Sequence, residues 1–232
     1  MDVRNILRSL SGGDIQQRGS IFGSAMVSHE LHQMIAQGMG RVVTVGAFST
    51  GIVGGGVGTV LDAQQPELAI AIPGGVTIRP LFCHIQVQPG LIATDLDENE
   101  AVLSVDVLGM WTGDGTFTSE QPVNMRTDLG RGSICRVGSA FSGNMTTTNA
   151  AGTAAAPVRD LELDRVVETV DISSAVAVNV HQLTMKYQPE YPPMLVGPAT
   201  VLVYFGGTVA NIGGFCQLGW VEGRNEDFFV RT

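Results

Sequence analysis

The spacing of apolar residues changes character near residue 40. Between Asp14 and Gln37, the residues Ile21, Phe22, Ala25, Met26, Leu31, Met34 and Ile35 recur at helical intervals, and Gly38 stands where a helix C′ residue is favoured. This predicts an amphipathic N-terminal helix, in one piece or broken near Gly19 or Gly23, whose apolar stripe needs a surface to pack on. From Arg41 onward the pattern is that of strands. Strands are predicted at Val42–Phe48, Thr77–Val87, Ala101–Met110, Ile134–Phe141, Arg165–Val170, Ala175–Tyr187, Thr200–Phe205 and Gly214–Val221. Weaker segments at Val57–Leu61 and Leu68–Ile72 are expected as extra edges. Gly, Pro, Asn and Asp clusters separate these runs, among them Gly51–Gly58, Pro73-Gly74-Gly75, Thr112–Thr118 and Pro189–Pro193. The small, polar stretch Asn144–Ala156 is expected to be a long exposed loop. The runs Val201–Phe205 and Phe215–Glu222 are almost uncharged and flank a Gly/Asn segment, so they are expected to pair as a closing hairpin buried on both faces.

About eight strands with irregular, sometimes long connections, and neither repeat nor interdomain linker, predict an all-β fold. The architecture expected is a single eight-stranded jelly-roll sandwich with an N-terminal helical arm, residues 1–40 forming the arm and 41–232 the shell domain. The order of an arm, the run Ile72-Pro73-Gly74-Gly75-Val76-Thr77-Ile78-Arg79-Pro80-Leu81 entering a long strand, and the final Val201–Val221 pair resembles the single jelly-roll major capsid (coat) proteins of small icosahedral viruses. The resemblance spans roughly Arg41 to Glu222 and rests on strand order and texture, not on an invariant motif. It implies a structural subunit, made in the host cytoplasm and located in the virion. Many copies would self-assemble into an icosahedral shell, with viral nucleic acid on the inner surface and no cofactor. Many such proteins condense the genome with a Lys/Arg-rich arm, whereas residues 1–40 offer only Arg4, Arg8 and Arg18 before Arg41. Those three are the candidate nucleic-acid contacts. The alternative reading is a jelly-roll ligand- or carbohydrate-binding module forming a small oligomer. An enzyme such as a cupin-like metal oxygenase ranks third.

Composition sharpens this picture. With 44% hydrophobic and only 15% charged residues, the chain has apolar surface to place in subunit contacts, where charge is depleted. A net charge of −9 argues against a protein whose main task is gripping phosphate backbones. Lys186 is the only lysine. Cys83, Cys135 and Cys216 are far apart in apolar runs, so reduced, buried thiols are expected in place of a disulfide framework. The charged N-terminus does not read as a signal peptide, and no run of about 18 apolar residues predicts a membrane span.

Chemistry-bearing motifs are scarce. His29 and His32 are spaced i, i+3, one residue short of the zinc-protease pair, and read as a helix face. His84 and His181 each lie in a strand without the second histidine and carboxylate of a metal-binding sandwich. Gly51–Thr59 lacks the lysine of a phosphate loop and reads as a turn or a close backbone approach between subunits. Asp95, Asp97 and Asn99 alternate as in a calcium loop, with Asp106 at the twelfth position. Glu100 occupies the position that needs Gly, so a solvated loop is preferred, with an interfacial divalent cation at Asp95 and Asp97 as the remaining option. Gly138-Ser139-Ala140-Phe141-Ser142-Gly143 is no nucleophile elbow. No catalytic residue, metal site or cofactor is therefore expected.

Overall fold

The computed structural model describes residues 30–46, 51–53, 61–88, 96–171, 183–207 and 213–228. Helix α1 (Glu30–Ala36) leads into strands β1 (Gly40–Val45), β2 (Ile52–Val53), β3 (Leu68–Ile72), β4 (Val76–Gln88) and β5 (Leu96–Asp106). A long excursion between residues 107 and 160 carries β6 (Gly109–Trp111), β7 (Thr118–Ser119), β8 (Val123–Asn124), β9 (Arg136–Ser139), β10 (Thr147–Asn149) and β11 (Ala154–Ala155). There follow β12 (Leu161–Asp171), β13 (Leu183–Tyr187), β14 (Leu195–Val196), β15 (Ala199–Gly207), β16 (Gly213–Arg224) and the short helix α2 (Asn225–Phe228).

Antiparallel pairing builds two large sheets. One runs β13-β4-β16-β1-β8, with β14 beside β4 and β2 beside β16; the other runs β12-β5-β15-β3-β9-β7. A small sheet, β11-β10-β6, belongs to the excursion. The alternation of strand side chains explains how these layers stack. From β4 and β16, Cys83, Ile85, Val87, Cys216, Leu218 and Trp220 enter the main core. They meet Leu68, Ile70, Ile72, Leu103, Val105, Val201, Val203 and Phe205 from the facing sheet. The intervening residues Ala69, Ala71, Val102, Leu202 and Tyr204 project the other way, into a second core with Trp111, Phe141 and Met145 from the excursion. The chain thus covers the outer face of its own β3-β15-β5 sheet. Within that cover, Trp111 meets Phe117 and Phe141 edge-on, at 4.7 and 5.0 Å between ring centroids.

Pro80 lies inside the central strand β4, where a missing N–H would break a regular ladder. The register shifts there, Gly219 facing Phe82 and Trp220 facing Pro80, so a bulge absorbs the proline. The helix also ends as its sequence requires. Gly38 has φ +84°, its N–H donates to Ile35 O (2.9 Å), and Met39 N–H donates to Met34 O (3.0 Å), the paired bonds of a Schellman cap.

The all-β expectation holds, while several details differ. The runs near 201–205 and 215–222 do not form a hairpin: β15 pairs with β3 and β5, and β16 pairs with β1 and β4 in the opposite sheet. Both strands sit between two neighbours, which accounts for their continuous apolar character without pairing them to each other. Leu68–Ile72, expected at an edge, lies between β15 and β9 and is buried throughout. Ile134–Phe141 shortens to β9, because Ile134 N–H donates to a side chain instead of a ladder. The strand expected at Ala101–Met110 breaks after Asp106, whose carboxylate caps the turn. Asn144–Ala156 is a small hairpin whose start is buried at Met145 and Thr147. Of the expected helix only Glu30–Ala36 lies among the described helical residues. Val57–Val60 and all of Ala175–Gln182 lie outside the described residues.

Candidate functional surface

The expected chemistry-bearing residues do not converge. Arg4, Arg8, Arg18, His29, His181 and Asp95 lie outside the described residues, and Asp97 is placed only as a backbone position in β5. His32 is exposed on α1. His84 points to the outer side of β4, its ring 5.4 Å from that of Phe82. Among the described residues no three His, Cys, Asp or Glu side chains gather as metal ligands. Asp106 serves the fold. Its Oδ1 accepts from Gly109 N–H (2.6 Å) and Leu108 N–H (3.2 Å), and its Oδ2 from Thr147 Oγ1–H (2.6 Å) and Val158 N–H (3.2 Å). Gly51 packs against the Gly213–Gly214 backbone of its own chain, so its close approach is internal. Ser139 Oγ donates to Glu120 Oε1 at 2.5 Å.

All three thiols are buried and reduced. Burial, with Asp164 nearby, pushes Cys83 up to about 12. Burial and then the Glu222 carboxylate push Cys135 up, and burial holds Cys216 well above its ordinary range. A neutral thiol is a poor nucleophile and a poor ligand, so these side chains pack as small hydrophobes.

What the arrangement does offer is an asymmetric pair of flanks. On one side the excursion extends both sheets, β8 adding to β1 and β9 with β7 adding to β3. A second buried carboxylate pins this cover. Glu222 Oε2 accepts from Trp220 Nε1–H (3.0 Å) and Ser133 Oγ–H (2.5 Å), and Oε1 from Ile134 N–H (2.9 Å). Arg41 Nε lies 3.0 Å from Oε1, with its N–H angled away, so that contact is ionic. Arg41 Nη1 donates instead to the carbonyls of Gly38 and Gly40. On the opposite side, β12 and β13 end their sheets with no further strand among the described residues.

Exposed apolar side chains lie on both flanks. Val167, 53% exposed, sits on the outer face of β12 beside Arg165, whose guanidinium pairs with Glu100. Tyr191, 82% exposed, and Met194 stand on the loop before β14, which lies along the open side of β4. On the covered flank Val123, Leu129 and Ile134 are exposed, and Ile134 borders a cavity of about 620 Å³ beside Trp111. Sequence reading placed Pro189–Pro193 among the turns and passed over its tyrosine. An aromatic fixed between prolines was the available signal. The cavity had no local signal, because residues 71–73, 110–112 and 133–136 build it together. No known protein family, curated protein or solved structure matches the chain.

Proposed function

We propose that this chain is a structural, non-enzymatic coat subunit that assembles with copies of itself into a closed icosahedral shell. The observation that carries the reading is the asymmetry of the sandwich: its own excursion seals one flank, and the other ends, among the described residues, in the edges of β12 and β13. Unpaired edges in a charge-poor chain are a pairing liability unless another chain covers them. The strand order supports a jelly roll. Counting only β1, β3, β4, β5, β12, β13, β15 and β16 as strands one to eight, the sheets read 1-8-3-6 and 2-7-4-5. That is the order two interlocked Greek keys produce. Self-association by symmetric copies then supplies closure. In the same reading Arg4, Arg8 and Arg18, repeated over many copies, are the candidate contacts to viral nucleic acid in the virion.

Negative-stain microscopy and size-exclusion chromatography of the purified chain test this. Round particles eluting near the void volume are the expected result, and a monomer or trimer persisting at micromolar concentration overturns it. The cavity beside Trp111 favours a second reading, a ligand- or carbohydrate-binding module. A discrete small oligomer that binds a glycan array would establish that reading instead.

A further inference from the structure

We infer that the segment Pro189–Met194 of one copy docks into the Trp111–Ile134 cavity of the next, making a head-to-tail contact between opposite flanks. The inference rests on the self-assembly reading and specifies its interface. The donor is preformed. Pro189, Pro192 and Pro193 restrict the backbone around Tyr191, so little conformational freedom remains to be lost on docking. Tyr191 is the most exposed of the large apolar side chains among the described residues. An aromatic held clear of its own domain is the kind of anchor that carries interface energy.

The acceptor matches in size, polarity and charge. Ala71, Pro73, Met110, Trp111 and Ile134 give the cavity apolar walls, and Arg136 stands on its border. At about 620 Å³ it is large enough for a tyrosine ring and the neighbouring Met194. Residues 121–136 carry Arg126, Arg131 and Arg136 against the single acid Asp128, three minus one, or +2, in a chain whose net charge is −9. Arg126 is already paired with Asp128, which leaves Arg131 and Arg136 as the exposed cations of this surface. The donor side is acidic. Glu190 adjoins Tyr191 and is offset by the exposed Lys186 of β13, while residues 158–168 carry Asp160, Glu162, Asp164 and Glu168 against Arg159 and Arg165, two minus four, or −2.

The same charges decide the symmetry. A two-fold contact would set the acidic flank against its own copy, with like charges facing across the edge strands. A heterologous contact sets −2 against +2. Tyr191 stands on the loop before β14, at the outer edge of β4, whereas the cavity is lined by the end of β3, by β6 and by residues 133–136 on the flank that the excursion covers, so a single copy can engage a neighbour on each side. Such contacts close into rings when the rotation permits.

Benzoylphenylalanine placed at position 191 of the full chain, irradiated after assembly and mapped by mass spectrometry, tests the contact together with Tyr191→Ser, Arg136→Glu and Glu190→Arg. The expected result is an intermolecular cross-link to residues 110–112 or 133–136. Tyr191→Ser should reduce assembly at least tenfold, and the Arg136→Glu/Glu190→Arg pair should assemble better than either single variant. Particles that form equally well from Tyr191→Ser, or that cross-link elsewhere, overturn the contact and leave the shell reading standing. A wild-type chain that does not assemble, together with a position-191 benzoylphenylalanine variant that gives no cross-link between copies, overturns both. A glycan or small molecule bound in the cavity with no cross-link overturns the contact in favour of the binding-module reading. Circular dichroism of each variant separates loss of contact from loss of fold.

Discussion

Replacing Glu222 by alanine removes the acceptor on which three separate parts of the chain converge. Its carboxylate is buried and receives Trp220 Nε1–H, Ser133 Oγ–H and Ile134 N–H, while Arg41 faces it across 3.0 Å. Without it the Arg41 charge, 15% exposed at its side chain, loses the carboxylate it faces, and the buried indole N–H loses its partner. Breaking a buried pair by deleting one member costs about 3–5 kcal/mol. With an m-value of about 3 kcal/mol per molar urea, a loss of about 4 kcal/mol lowers the unfolding midpoint by about 1.3 M. Glu222→Gln keeps one acceptor oxygen and should fall between wild type and alanine. Arg41→Met/Glu222→Leu removes both charges and fills the space but still leaves the Trp220, Ser133 and Ile134 donors without this acceptor, so it should recover only the part of the loss due to the unpaired charge. Trp220 fluorescence reports the transition locally, and one fixed protein concentration removes the mass-action contribution of assembly. A midpoint for Glu222→Ala within about 0.3 M of wild type would refute the argument, since that corresponds to about 1 kcal/mol. A double variant as unstable as the single one would refute it equally.

Two further predictions follow from packing and from titration. Gly219 lies against Phe82 on the outer side of the β4–β16 pair, where an added Cβ would overlap the ring edge and sit 2.9 Å from the Met125 methyl group. Gly219→Ala should therefore cost about 1–3 kcal/mol by urea denaturation, and Phe82→Leu in the same chain should return part of it. The raised thiols fix the alkaline limb of stability. A group whose folded pKa lies above its unfolded value contributes fully below the unfolded value, about 8.5 for cysteine, and its contribution is lost as pH rises through the folded value. For Cys83 the window therefore runs from about 8.5 to about 12. Thermal midpoints measured in reductant should fall through that range, and Cys83→Ala should flatten the fall. Native protein at pH 8 should leave Cys83, Cys135 and Cys216 unreacted with a thiol reagent. Rapid labelling of any of the three would contradict the buried, protonated state.

Much of the layering was legible because burial leaves a period in the sequence. The alternation in Val76–Gln88 gives one strand with one core face, and Gly38 marks the end of its helix by a φ that other residues avoid. Pairing was not legible in the same way. A strand buried on both faces reads alike whichever sheet it enters, so the runs containing Val203 and Leu218 looked like neighbours when they face each other across the core. The separating stretch from Gly206 to Gly214 was the available clue, being longer than the two-residue turns that fix hairpin register. Leu68–Ile72 looked weak because its alternate positions are alanines, and those alanines let the excursion pack closely on that face. Glu222 and Asp106 were lone acids inside apolar strands. A charge in such a place needs buried partners, but those partners lie far away in sequence and periodicity does not name them.

On the proposed assembly, Glu222 also links the stability of the sandwich to the contact between copies. Ser133 and Ile134 border the cavity, and both donate to this carboxylate, which belongs to a central strand. The wall proposed to receive Tyr191 is therefore fixed within the single copy, which would lower the ordering cost of that contact. Ser133→Ala isolates that contribution. It removes one hydrogen bond of about 1 kcal/mol and leaves Glu222 its Trp220, Ile134 and Arg41 contacts, so the urea midpoint should move by only about 0.3 M. If each contact weakens by about 0.5 kcal/mol, and each is shared by two copies, the loss per copy is about 0.5 kcal/mol, roughly a twofold rise in the concentration at which particles form. Light scattering across a dilution series of Ser133→Ala measures that threshold. A threshold equal to that of wild type, with the small stability loss present, would show that the wall does not need Ser133 to receive its neighbour.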